Sequence, residues 1–168
     1  MYRVIVMEHK GVDEVATRIR TEADMERVPR SRILIDEDGI GGGVVDLLKG
    51  CKGFIANASP IDQEEQDNFK NLKSQCSYRL ADEVSARRIS VSAEMGERHK
   101  EMLVEELEQI RSKDADKDGK RQVMPKDDVK ERIGRSPDFS DMMMMRMYFE
   151  IEKPKTIHIA TTWKPSFT

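Results

Sequence analysis

Apolar and polar positions along this chain alternate between two rhythms, short apolar runs and longer helical stripes. The run Ile33-Leu34-Ile35, bounded by charge and then glycine, predicts a short buried strand. It stops at Asp36, Glu37 and Asp38. Gly39, Gly41, Gly42 and Gly43 then turn the chain into Val44–Leu48, which predicts a helix start. Upstream, Tyr2–Met7 is apolar and β-branched and predicts another strand, ended by Glu8-His9-Lys10-Gly11. Val12, Val15, Ala16, Ile19 and Ala23 recur at helical spacing within 12–27, and Val28-Pro29-Arg30 stops that helix. A further short strand is predicted at Gly53–Ala56, closed by Asn57–Pro60. Strand, helix, strand, helix is the order of a βαβ layout.

The second half is predicted to be mostly helical. A polar loop over 61–67 leads into a long helix, Asn68 to Arg88, with Phe69, Leu72, Cys76, Leu80 and Val84 on one face. A second helix, Glu97–Ser112, turns Leu103, Leu107 and Ile110 inward, and His99 among its charged neighbours reads as solvated. Asp114, Asp116, Asp118 and Gly119 imitate the opening of a calcium loop, but its eighth position is Arg121 and its twelfth, which needs a bidentate glutamate, is Pro125. Asp118-Gly119 is better read as the tip of a hairpin joining Gln109–Arg111 to Gln122–Met124. Lys126–Ile133 predicts a helix ended by Gly134. Ser136 then suits an N-cap and Pro137 a first helical position for a methionine-rich helix buried on most sides. Asp138 and Asp141 project from one side of its first turn. The organised domain is expected over 1–151, and 152–168, with Pro154, Pro165 and several threonines, is expected to be a poorly ordered tail. Within it Thr156–Trp163 alternates enough for a strand that docks on a partner.

Composition narrows the function classes. With 168 residues, 36% charged and 38% hydrophobic, the chain has room for one domain with a real core. A net charge of −3 argues against a general nucleic-acid binder but leaves room for a local basic patch. The two cysteines, Cys51 and Cys76, have no metal-site spacing and suit a reducing compartment; Cys76 reads as a small core residue. No apolar run has membrane-spanning length and no signal peptide opens the chain, so a cytoplasmic protein is expected. Phosphate-loop, GxSxG and HExxH motifs are absent.

Two acid clusters remain, one at a strand end and one on a late helix. Acids at the C-terminal end of a buried strand lie where open α/β sheets keep their sites, and grouped buried acids repel one another unless a cation neutralises them. The plainer alternatives are a solvated acidic turn for Asp36–Asp38 and helix capping for Asp138 and Asp141.

The ordered set Ile35-Asp36-Glu37-Asp38-Gly39-Ile40-Gly41-Gly42-Gly43-Val44-Val45-Asp46, Phe69–Ala81, and Gly134-Arg135-Ser136-Pro137-Asp138-Phe139-Ser140-Asp141-Met142 resembles the C-terminal nuclease domain of the tailed-phage terminase large subunit, from about Tyr2 to Phe149. That resemblance implies an α/β fold, a ribonuclease H-like mixed sheet with flanking helices. It implies a DNA endonuclease that cuts concatemeric viral DNA during packaging in the bacterial host cytoplasm, with double-stranded DNA, an ATPase domain, a portal and a small subunit as partners. It also implies two divalent cations, Mg2+ or Mn2+, held by carboxylates. By motif, Asp36 matches the strand-end acid and Asp138 and Asp141 the late-helix acids, as both catalytic and metal-binding residues; Glu37 and Asp38 are candidate neighbours. Lys70, Lys73, Arg79, Lys120 and Arg121 are candidate DNA contacts, expected with Arg87 and Arg88 to gather around the acid cleft.

The sequence also departs from that pattern. The relatives' first strand, whose acid bridges both metals, precedes the part matching Tyr2–Met7, and Glu8 is a poor substitute for it. The expectation is an N-terminally incomplete fold with an unpaired sheet edge that invites self-association or filling by its own termini. A catalytically incomplete DNA-binding or assembly module of the same fold is therefore the second hypothesis. A third, a magnesium phosphotransfer enzyme, lacks any phosphate-cradling motif.

Overall fold

The computed structural model describes residues 4–7, 10–38, 41–61, 68–92, 95–113 and 119–152. Helix α1, Val12–Met25, follows Gly11, whose N–H donates to the Glu14 carboxylate at 3.2 Å. Its buried Ala16 lies in a small core with Ile35, Val44 and Leu48. A 3₁₀ turn at Arg30–Arg32 leads into β1, Leu34–Asp36. Helix α2, Gly41–Leu47, carries the chain to β2, Lys52–Phe54, which pairs parallel to β1 with Asp36 opposite Phe54. A βαβ unit is therefore present, but it runs β1, α2, β2 and does not begin with the strand expected before α1; β1 and β2 form a two-stranded sheet.

Gly41 is required where it stands. A β-carbon placed there would lie 1.6 Å from the Asp36 carbonyl oxygen, so the chain can leave β1 and enter α2 this tightly only without a side chain. Gly53 plays a similar part across the sheet, where a β-carbon would collide with the Glu37 carboxylate.

The larger core is made by α3 (Leu72–Ser85), α4 (Glu97–Gln109) and α6 (Asp138–Arg146). Phe54, Leu72, Cys76, Leu80, Leu103 and Met144 are among its buried residues. Between α4 and α6 come β3 (Ser112–Lys113), its antiparallel partner β4 (Gln122–Val123), and helix α5 (Lys126–Ile133), closed by Gly134 at φ 71°. Helix α7, Tyr148–Ile151, ends the described chain.

Several expectations need correction. Val4–Met7 forms no strand, although Val4 packs against the large core. Helix α3 starts at Leu72, not Asn68, because Asn71 caps it, accepting from the Ser74 N–H at 2.9 Å. Phe69 is buried outside the helix and bridges to Arg121, while Val84 is exposed. The hairpin pairs Ser112–Lys113 with Gln122–Val123, a register later than expected on its first arm. His99 is half-buried, its ring 5.3 Å from that of Phe139. The N-cap of α6 is Pro137 and not Ser136. Burial pushes the Cys76 thiol up to about 12, which suits an inert core residue. The acidic hairpin tip at 114–118, the tail beyond Glu152, and with it Thr156–Trp163, lie outside the described residues.

Candidate functional site

Side chains alternate across β1, and this sorts the acidic turn. Ile35 joins the α1–α2 core and Glu37 lies on Gly53 and Gly42. Leu34 and Asp36 face the other way, toward α6. Asp36 Oδ1 accepts the Asp38 N–H at 3.2 Å, and Asp38 reaches across to accept the Ala56 N–H at 3.1 Å. Asp38 is thus committed to closing the strand ends, while among the described residues Asp36 Oδ2 takes no backbone bond.

That oxygen meets Asp141 across one ammonium. Lys126, the first residue of α5, places Nζ 2.7 Å from Asp141 Oδ2 and 3.8 Å from Asp36 Oδ2. Lys73, from α3, stands 3.6 Å from Asp141 Oδ1. Two depressions share the Asp36–Lys126–Asp141 wall. One, of ≈ 480 Å³, is lined by Lys70, Asn71, Lys73 and Gln122 as well. The other, of ≈ 440 Å³, adds Asp138, Arg32, Arg146 and Phe149. Asp36, from β1, and Asp138 and Asp141, from α6, all line this second depression.

The electrostatics are those of crowded carboxylates. Burial pushes Asp36 above the ordinary carboxylate range; Lys126 and the Asp38 N–H offset this in part, and repulsion from Asp38 and Asp141 adds to it. Burial works against the charge on Lys126, but its bond to Asp141 and the fields of Asp141, Asp36 and Asp138 outweigh that and push its pKa up. Lys126 thus stays charged and holds a cation's place among the acids. Among the described residues, no three acidic, histidine or cysteine side chains stand as a ready-made metal-ligating group.

Lys126 was missed in the sequence, yet a signal existed. A lysine in the first turn of a helix opposes the helix dipole and needs local carboxylates to justify it. The basic candidates divide. Lys70 and Lys73 line the cleft, with Lys70 Nζ donating to Gln122 Oε1 at 3.1 Å. The Arg121 guanidinium lies 4.0 Å from the Tyr78 ring centroid and 4.9 Å from that of Phe69, beside the same cleft wall. Arg79 and Arg88 instead flank Glu83, at 2.7 and 2.6 Å, and Arg88 and Glu83 face a different depression behind Met143 and Met147. Arg87 is exposed just past α3 at φ 55°, and Lys120 is half-buried beside the hairpin. The expected gathering holds for Lys70 and Lys73 and fails for Arg79 and Arg88.

The architecture is a mixed α/β fold with a partial sheet. The nuclease domain of the large terminase subunit gp2 of bacterial virus Sf6 superposes with a TM-score of 0.67 at 24% identity, over 90% of this chain and 77% of that one. A mutant form of that domain with manganese gives 0.68 over 90% and 78%. The same mutant with manganese and beta-thujaplicinol gives 0.67 at 24% identity. No family model and no curated protein sequence matches the chain.

Proposed function

We propose that this chain is a metal-dependent DNA endonuclease domain of the terminase large-subunit kind, cutting concatemeric viral DNA during genome packaging. The observation that carries this reading is the convergence of Asp36, Asp138 and Asp141 on one cleft in a fold like that of a phage terminase nuclease domain. Every acidic group at that cleft offers carboxylate oxygen, a donor set that suits Mg2+ or Mn2+. The three aspartates would hold the cation, whose chemistry is to acidify an attacking water and to stabilise a leaving phosphate oxygen.

The chain's own residues supply the rest. Asp36 and Asp141 present charge from two rigid elements. Lys126 offsets part of that charge and would have to give way to a bound divalent cation. Lys70 and Lys73, with the Asn71 and Gln122 amides, offer donors along the ≈ 480 Å³ cleft to the phosphates of a DNA strand. An ATPase domain, a portal and a small subunit are the partners this role implies.

Cation-dependent nicking of plasmid DNA by the full 168-residue chain tests the reading. Cutting with Mg2+ or Mn2+, abolished by a chelator and by Asp141→Asn, is expected; intact plasmid under all conditions would defeat it. One observation favours a second reading, a DNA-binding or assembly module. The charge of Asp36 and Asp141 is already offset in part by Lys126 and Lys73, and the acids form no ready ligand group among the described residues. In that case DNA should bind without being cut. Strand β1, paired among the described residues only with β2, would then recruit a second chain along its other edge.

A further inference from the structure

We infer that Glu106, acting with Arg135, is a positioning residue for the carboxylate site: it reaches from α4 to cap the first turn of α6 and so sets where Asp138 and Asp141 stand. The inference rests on the nuclease reading of those two aspartates.

Helix α6 begins without a cap of its own. Its N-cap is Pro137, which has no side-chain acceptor, yet the first N–H groups of any helix need one. Glu106 supplies it from a distant part of the chain, accepting the Ser140 N–H on Oε2 at 2.7 Å. Its side chain is 0% exposed. The other oxygen, Oε1, is bound by Arg135 Nη1. Arg135 Nη2 in turn donates to Glu105 at 2.7 Å and to the Met102 carbonyl at 3.2 Å. The last turns of α4 therefore grip both the residues before α6 and its first turn.

A wholly buried carboxylate is an expensive way to hold two helices together; an apolar side chain would pack there at lower cost. What the carboxylate adds is direction. It fixes the N–H of the residue immediately before Asp141, and Asp141's own N–H donates to the Pro137 carbonyl at 3.0 Å. Ser140 Oγ donates to that same carbonyl at 3.1 Å. The turn is thus held from the α4 side, while Lys73 and Lys126 pull on the Asp141 carboxylate from the cleft side. Loosening the first hold leaves the place of Asp141 set by its lysine contacts alone. Arg135 is needed because Asp138, Asp141 and Glu106 all crowd one helix start, and the helix dipole alone does not offset three negative charges.

The test uses the full chain and two mild variants. Glu106→Gln keeps an acceptor for Ser140 but loses the charge that orients Arg135, which retains Glu105. Arg135→Lys keeps the charge but loses the forked grip. We expect Glu106→Gln to raise the Mn2+ concentration for half-maximal DNA cutting about tenfold, the lower end of what loss of a supporting shell costs. Arg135→Lys should shift it less in the same direction, with the thermal midpoint of both variants close to wild type. In the wild type the Ser140 amide should exchange slowly with solvent. An unchanged Mn2+ midpoint in both variants of a wild type that cuts would overturn the inference, as would fast exchange at Ser140 should either variant fail to fold. A wild type that never cuts, but whose Ser140 amide is protected, sinks the nuclease reading and leaves the Glu106 cap standing as structure.

Discussion

Replacing Lys126 by glutamine should make the site bind divalent cations more tightly. The ammonium is 2.7 Å from Asp141 and 3.8 Å from Asp36, so it competes for the oxygens a metal would use. At an effective dielectric of about 20, a pair of unit charges near 4 Å interacts by about 4 kcal/mol. Much of that is lost here, since the Lys126 and Asp36 side chains are 40% and 41% exposed. For so wet a pair the net value is about 0.5 kcal/mol. The Asp141 contact is drier, with that side chain 14% exposed, and a charged hydrogen bond of this kind is worth about 1.5 kcal/mol. Removing both frees about 2 kcal/mol, and at 1.4 kcal/mol per decade this is a roughly 30-fold gain in cation affinity. Titration calorimetry with Mn2+, without DNA and at low salt, measures it. Lys73→Gln, whose ammonium is farther off at 3.6 Å, should give a smaller gain. Equal or weaker Mn2+ binding by Lys126→Gln would show that Lys126 does not stand in a cation's place.

Other outcomes follow from the same geometry. Asp36 should titrate above its ordinary value in carboxyl NMR of the metal-free chain, and higher still in Lys126→Gln, which removes the ammonium that lowers it. A group raised in the fold contributes stability below its unfolded pKa and loses it as pH climbs through the folded value. Ionised Asp36 therefore costs the metal-free fold stability at neutral pH, and Asp36→Asn should melt no lower than wild type there while losing Mn2+ binding. Gly41→Ala forces a methyl into the Asp36 carbonyl, and a loss of about 3 kcal/mol in denaturant melts is expected, together with a displaced site. For DNA binding, Lys70→Gln should lower the slope of log affinity against log salt by about 1, whereas Arg79→Gln, turned toward Glu83, should leave it unchanged.

How far the sequence could be read depended on how local the physics was. Helix α5 is found over the expected residues, Lys126–Ile133, because its periodicity and its Gly134 terminus are both local signals. The β1 run and its glycine turn were legible for the same reason. Boundaries failed where a cap decided them: Asn71 starts α3 later than the apolar stripe implied. The start of α6 was misassigned because its cap lies on another helix. Glu106 carried a readable sign, a charge on the inward stripe of Leu103 and Ile110, but its partner could be named only once α4 and α6 were in contact. The acids were identifiable as a set through the resemblance; the one local sign of Lys126, a lysine in a first helical turn, does not name Asp36 as its partner. Lys126 lies far along the chain from Asp36, and pairing across that distance has no sequence period. Arg79 and Arg88 looked like DNA contacts by charge alone; Glu83, one turn on from Arg79 in α3 and shortly before Arg88, holds both of them.

A crystal structure of the chain grown with Mn2+, read by anomalous scattering at the manganese edge, tests the central claim most directly. Manganese is expected within coordination distance of carboxylate oxygens from Asp36, Asp138 and Asp141, roughly 2.0–2.3 Å, with the Lys126 ammonium displaced from Asp141. Manganese found only elsewhere, with Lys126 still bridging Asp36 and Asp141 at saturating metal, would contradict it.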